Sequence, residues 1–131
     1  MLDSNYKLVK VGSPIEGAFN FNNLTEVDIN RLYNACDVFL FPTLDEGLGF
    51  PLIEAMTAGI PVVASDIEAV REICSGAAIL VEPTPIELSK AILSAIENSG
   101  EYINKGISRS SRYSPENFHK SVKSVYSRIS E

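Results

Sequence analysis

Asp45-Glu46-Gly47-Leu48-Gly49-Phe50-Pro51-Leu52-Ile53-Glu54 reads as a glycine-bearing loop running into the start of a helix. Just before it, Asp37-Val38-Phe39-Leu40-Phe41-Pro42 has the length and the β-branched and aromatic content of a buried strand. Just after it, the good helix formers of Ile53-Glu54-Ala55-Met56-Thr57-Ala58 run up to Gly59, which is placed to end the helix. Pro51 suits the first helical position, where a missing N–H costs nothing and a fixed φ is already helical. Gly47 and Gly49 allow positive φ and keep side chains from standing between backbone and ligand. Unpaired amides at such a helix start, with the positive end of the peptide dipoles behind them, form a seat for an anion such as phosphate.

Glu46 and Glu54 bracket this seat. A carboxylate beside a phosphate repels it, so the better task for either acid is accepting hydrogen bonds from hydroxyls. Sugars and riboses carry hydroxyls in vicinal pairs that match two carboxylate oxygens. The plainer alternative makes Glu46 a solvated loop residue and Glu54 an acid complementing the dipole of a first turn. The spacing alone is common by chance and decides nothing.

The surrounding residues decide more. Phe-Pro-Thr-x-x-Glu-Gly-x-Gly-Phe-Pro-x-x-Glu-Ala-Met, followed by Ala58-Gly59-Ile60-Pro61-Val62-Val63-Ala64-Ser65, resembles the donor-binding domain of retaining GT-B glycosyltransferases, closest to glycosyltransferase family 4 or "group 1". The resemblance runs from about Lys7 to the C-terminal helix and is most specific between Leu32 and Glu82. It implies that Glu46, the first acid of an E-x7-E pair, contacts the transferred sugar, and that Glu54 binds the ribose of the nucleotide. It also implies that the amides of Gly47, Leu48, Gly49 and Phe50 face the sugar and diphosphate, with Leu52 near the distal phosphate. Glu46 is then the catalytic candidate, as a positioning group more than a nucleophile. The class uses no metal and no cofactor beyond its nucleotide-sugar substrate.

At 131 residues the chain has room for one domain, and 45% hydrophobic with 21% charged residues is a globular balance. A formal charge of −6 without a basic cluster argues against nucleic-acid binding. The same charge draws no anionic nucleotide from afar, so such binding must rest on local donors. No apolar run approaches a membrane span and no signal peptide precedes the polar start, so a cytoplasmic location is expected. Cys36 and Cys74 read as buried thiols in a reducing compartment, and the single histidine, His119, as a surface helix residue.

Taken in order, Tyr6 to Val11 alternates like a strand and stops at the turn signal Gly12-Ser13-Pro14. By the resemblance it is the domain's second strand. The first, whose loop carries an arginine and a lysine for the diphosphate, is apparently missing, and it is central in a sheet ordered 3-2-1-4-5-6. Ala18 to Phe21 forms a weak strand ahead of Asn22 and Asn23, candidates for hydrogen bonds to a base edge that a loop turn explains as well. Thr25-Glu26-Val27-Asp28 looks like a capping box, opening a helix with Ile29, Leu32, Tyr33 and Cys36 on one stripe. Tyr33 reads as core. Ile60 to Ala64 is the next strand; Ser65-Asp66-Ile67-Glu68 caps a helix with Ile67, Val70 and Cys74 inward; Ala78 to Val81 is the last strand. Three helices close the chain: one capped by Thr84 with Pro85, one weakened by Gly106, and one begun at Ser114-Pro115-Glu116 with the stripe Phe118, Val122, Val125, Tyr126 and Ile129. The stripe serves either its own sheet, the simpler view, or an interdomain contact. Arg109, Arg112, Lys120, Lys123 and Arg128 are expected on a solvated face.

The expected fold is thus α/β: a Rossmann-like three-layer domain with a mostly parallel sheet, the C-terminal half of a GT-B fold lacking its first strand and ending in helices. Residues 1–131 form a single nucleotide-sugar donor-binding domain. The expected activity is retaining hexosyl transfer, absent from this piece alone, with an acceptor lobe in the same full-length chain or a partner chain and an acceptor that can lie at a membrane surface. A non-catalytic interaction module that kept the fold is the rival reading. An unrelated phosphate-binding α/β isomerase or epimerase accounts less well for the paired glutamates and the Gly-Ile-Pro-Val-Val that follows.

Overall fold

The computed structural model describes residues 5–129. Among the described residues five short strands and six α-helices follow in the order β1 (Val9–Val11), β2 (Phe19–Phe21), α1 (Glu26–Ala35), β3 (Phe39–Phe41), α2 (Phe50–Ala58), β4 (Val62–Ser65), α3 (Glu68–Cys74), β5 (Ile79–Val81), α4 (Pro85–Glu97), α5 (Ser99–Ser110) and α6 (Pro115–Ile129), with a short 3-10 turn (Ser111–Tyr113) between the last two. All pairings are parallel: helices supply the crossovers between β3, β4 and β5, while β1 and β2 are joined by a helix-free loop. The strands form two sheets, β1-β2 and β3-β4-β5. The break falls where the resemblance puts the central strand, and among the described residues nothing fills it.

The core lies on both faces of β4. Val62 and Ala64 point to one side, packing with Leu52, Ala55 and Met56 of α2 and Val70, Ile73 and Cys74 of α3. Val63 points to the other, against Ala91 and Ala95 of α4. This is the three-layer arrangement, and it explains why β4 is an unbroken apolar run instead of an alternating one. Burial pushes the Cys74 thiol up to about 11, with the Arg109 charge pulling partly back. A raised folded pKa keeps its stabilisation below the unfolded value and loses it as pH rises. Between about pH 9 and pH 11 ionisation of Cys74 is expected to remove on the order of 2 kcal/mol. Denaturation curves at pH 8, 9 and 10 check this, since Cys74→Ala flattens the slope.

Several local expectations need correcting. Gly106 does not weaken α5: it is buried, and a Cβ there would meet the Met56 Cγ at 3.3 Å, so its lack of a side chain lets α5 approach α2. Ser65 and Asp66 do not cap α3. Ile67 holds the N-cap position without a side-chain bond, Asp66 pairs with Arg71, and Ser65 is fully buried with its Oγ unpartnered. The stripe of α1 is half-buried only, because its helix has a single neighbour, α2, in substantial contact. On α6, Phe118 is 70% and Val125 54% exposed, so that stripe does not pack on its own sheet. The side chains of Tyr126 and Ile129 lie outside the described set. Among the described residues no helix is long and apolar enough to cross a membrane.

Candidate functional site

The loop after β3 leaves the carboxyl edge of the three-stranded sheet, where open α/β sheets place their ligands. It turns into α2 through Gly49, at φ 56° and ψ 41°, a left-handed N-cap. Only glycine adopts this without strain. Gly47 does not share the need: its φ is not positive and its surroundings are open. Phe50 begins α2 and Pro51 is its second residue, one place later than expected but still among the orphan donors where proline is harmless. The amides of Leu52 (2.9 Å) and Ile53 (3.4 Å) donate back to the Gly49 carbonyl, so the seat is locked to its own first turn.

Glu46 sits inside this turn. Its Oε1 accepts the amides of Gly47 at 3.1 Å and Gly49 at 3.4 Å. Two of the four loop amides expected to face a sugar diphosphate are therefore turned toward the chain's own carboxylate. The amides of Leu48 and Phe50 are not taken by it, and the side chains of both are solvent-facing, at 64% and 62% exposure. Leu52 itself is fully buried and its amide is taken by the Gly49 carbonyl, so the structure does not present it to a phosphate as expected.

Glu54 is exposed on α2, and its Oε2 accepts the Tyr33 hydroxyl of α1 at 3.0 Å. Burial raises the Tyr33 pKa, reinforced by the hydrogen bond to Glu54 and by its charge, which keeps the phenol a donor at neutral pH. Tyr33 also meets the Phe39 ring edge-on at 5.5 Å between centroids, fixing the phenol from behind. The two glutamates thus flank one helix start but have different neighbours: Glu46 its own loop, Glu54 the adjoining helix. The sequence placed Tyr33 as core, which is half of its role. Its position in the last turn of α1 gave no sign that it would reach an acid twenty-one residues later.

Asn22 and Asn23 follow β2, in the separate two-stranded sheet. With its amide nitrogen turned inward, Asn22 donates to the carbonyls of Gly12 (2.8 Å) and Phe21 (3.1 Å), and Asn23 takes a left-handed φ of 54°. Both are turn-forming conformations. Neither acid lines the two pronounced surface clefts: one runs along α1, and one at the amino edge is lined by Cys36, Asp37, Gly59 and Ile103 and also by Tyr33, the partner of Glu54.

Arg109 departs from the solvated face expected of it. Its Nε donates to the Ile73 carbonyl at 2.7 Å and its Nη2 to the Glu72 carbonyl at 2.6 Å and to the Tyr113 hydroxyl at 3.0 Å. It closes the C-terminal end of α3. The side chain of Ile73, in turn, reaches the place where a Cβ on Gly49 would stand. No motif marks this arrangement, because its partners are backbone carbonyls.

Comparison with known proteins agrees with this architecture. Residues 5–98 match the family model described as "Glycosyl transferases group 1". O-antigen chain mannosyltransferase RfbU of Salmonella typhimurium is 38% identical over 93 residues, 69% of this chain and 25% of that protein. O-antigen chain mannosyltransferase B of Escherichia coli is 33% identical over 72 residues, 54% of this chain and 19% of the relative. O-antigen biosynthesis glycosyltransferase WbnH of Escherichia coli is 28% identical over 100 residues, 75% of this chain and 30% of the relative. The chain therefore spans less than a third of the length of these relatives. With a family match over most of its length, on a parallel α/β fold with a glycine-capped helix at the carboxyl edge, the chain belongs to the group 1 glycosyl transferases.

Proposed function

We propose that this chain is the donor-binding part, from the C-terminal lobe of a GT-B enzyme of family 4, of a hexosyltransferase that retains anomeric configuration. The observation that carries the reading is the start of α2, where Glu46 and a left-handed Gly49 share a loop and Glu54, further along α2, is held by Tyr33 of α1. The nucleotide lies over the carboxyl edge, with its ribose hydroxyls on Glu54 and its diphosphate at Gly49 to Leu52. Because relatives are named mannosyltransferases, the sugar proposed is a nucleotide-activated mannose.

Donor binding in this scheme requires Glu46 to leave the amides of Gly47 and Gly49. The carboxylate then accepts the sugar's hydroxyls and the freed N–H groups meet the diphosphate. The hard step is departure of that diphosphate as positive charge builds on the anomeric carbon. Donors aimed at the departing charge act where transition-state binding counts. A helix start supplies about 0.3–2 kcal/mol, well short of a full rate enhancement, so cationic groups and orientation must supply the rest. As the resemblance implies, the proposed reaction uses neither metal nor covalent intermediate. Acceptor lobe, basic diphosphate ligands and a cytoplasmic setting with an acceptor at a membrane surface complete the proposal, and the isolated chain is expected to transfer nothing.

Calorimetric titration of a complete enzyme carrying this domain with UDP-, GDP- and ADP-sugars tests the reading. Glu54→Ala is expected to weaken donor binding by about tenfold or more, the loss of a charged hydrogen-bond pair to the ribose. Equal affinities for wild type and variant would remove the ribose role. The self-engaged Glu46 favours one other reading, an interaction module that kept the fold without binding sugar; absence of heat with every donor selects it.

A further inference from the structure

We infer that Arg109 is a positioning residue for the start of α2, acting through Ile73. Three observations connect them. The guanidinium spans the carbonyls of Ile73 (2.7 Å) and Glu72 (2.6 Å), and the Tyr113 hydroxyl donates to the same Ile73 carbonyl at 3.3 Å. The residue so gripped is 7% exposed and belongs to the central cluster with Leu52 and Met56. Its Cδ1 stands 2.7 Å from where a Cβ would project at Gly49, with the Leu52 Cδ1 at 3.0 Å.

Ile73 and Leu52 thus form the floor on which the left-handed glycine rests. α3 is seven residues long, and its end is held as well by the Ser75 amide on the Arg71 carbonyl at 2.8 Å and the Ala77 amide on the Cys74 carbonyl at 2.9 Å, neither of which engages Glu72 or Ile73. Without the guanidinium the Glu72 carbonyl loses this donor, the Ile73 carbonyl keeps only the longer bond from the Tyr113 hydroxyl, and the last turn of α3 is free to shift, taking Ile73 with it. Gly49 then loses its support, and the first hydrogen bonds of α2 lose their acceptor's position. The charge on Arg109 serves backbone carbonyls thirty-six and thirty-seven residues away in sequence. It holds the seat without touching anything bound there.

This inference deepens the reading of that helix start as an anion seat, but its test uses no nucleotide, so the two fail separately. Site-resolved amide exchange of the chain is compared in wild type, Arg109→Met and Ile73→Val. The amides of Leu52 and Ile53, bonded to the Gly49 carbonyl, are expected to exchange about tenfold faster in Arg109→Met relative to the amides of β4 and α4. Arg109→Lys, which keeps the charge and a donor, restores most of that protection. Ile73→Val withdraws the Cδ1 while leaving the Arg109 bonds intact, and is expected to expose the same two amides. A uniform change across all amides, or Ile73→Val with Leu52 and Ile53 unaltered, overturns the relay. Should Arg109→Met not fold, Arg109→Gln, which gives up the charge and the reach to both carbonyls, takes its place beside Ile73→Val.

Discussion

Gly49→Ala is expected to destabilise the chain by about 2–5 kcal/mol, read as a shift in the urea midpoint. Two costs combine. A side chain at φ 56° meets the steric penalty of the left-handed region, roughly 1–2 kcal/mol. A Cβ at this site would also stand 2.7 Å from the Ile73 Cδ1 and 3.0 Å from the Leu52 Cδ1, so buried side chains must move, which costs about 1–3 kcal/mol. Neither neighbour is at a free surface where it could swing aside. Gly47→Ala is the control: nothing lies within 4 Å of its would-be Cβ, and a change within about 0.5 kcal/mol is expected. Equal losses at both glycines would mean that the loop tolerates or rejects side chains for reasons unrelated to this packing.

The second large effect concerns Glu46. In a complete transferase, Glu46→Ala is expected to lower kcat/KM by about a hundredfold, or ~2.7 kcal/mol of transition-state stabilisation, by releasing the sugar from its orientation. Affinity for the nucleoside diphosphate alone is expected to hold or rise a few-fold. The amides of Gly47 and Gly49, occupied by this carboxylate in the free chain, become available, and a like charge beside the phosphates is gone. Steady-state kinetics with a separate titration of the diphosphate checks both halves. A parallel fall in transfer and in diphosphate affinity would show that Glu46 is part of the seat itself and not a gate over it.

The sequence disclosed most of the architecture because its signals are local. Thr25 with Asp28, and Thr84 with Pro85, cap their helices as written. The apolar runs at Phe39–Phe41 and Val62–Ser65 are adjacent parallel strands. What misled was residue type read without its neighbours. Gly106 looked like a weak point in α5 because propensity penalises glycine, whereas close approach of α2 requires it. Arg109 looked solvated because cations usually are, whereas two backbone carbonyls hold it. The stripe on α6 looked buried because amphipathic helices usually pack, whereas Phe118 and Val125 stand in solvent.

The candidate site divides the same way. Chain order and residue type were enough to put a glycine-led helix start at the carboxyl edge of a parallel sheet with an acid on either side, since strand, turn and helix follow one another along the backbone. Tertiary structure alone decided what those acids touch: Tyr33 of another helix on Glu54, and the loop's own amides on Glu46. It also decided that Gly49, and not Gly47, is irreplaceable, because Ile73 arrives there from a helix twenty-four residues further on. Hydrogen bonds and van der Waals contacts between distant segments depend on where the packed layers bring them, and no spacing within one segment encodes that.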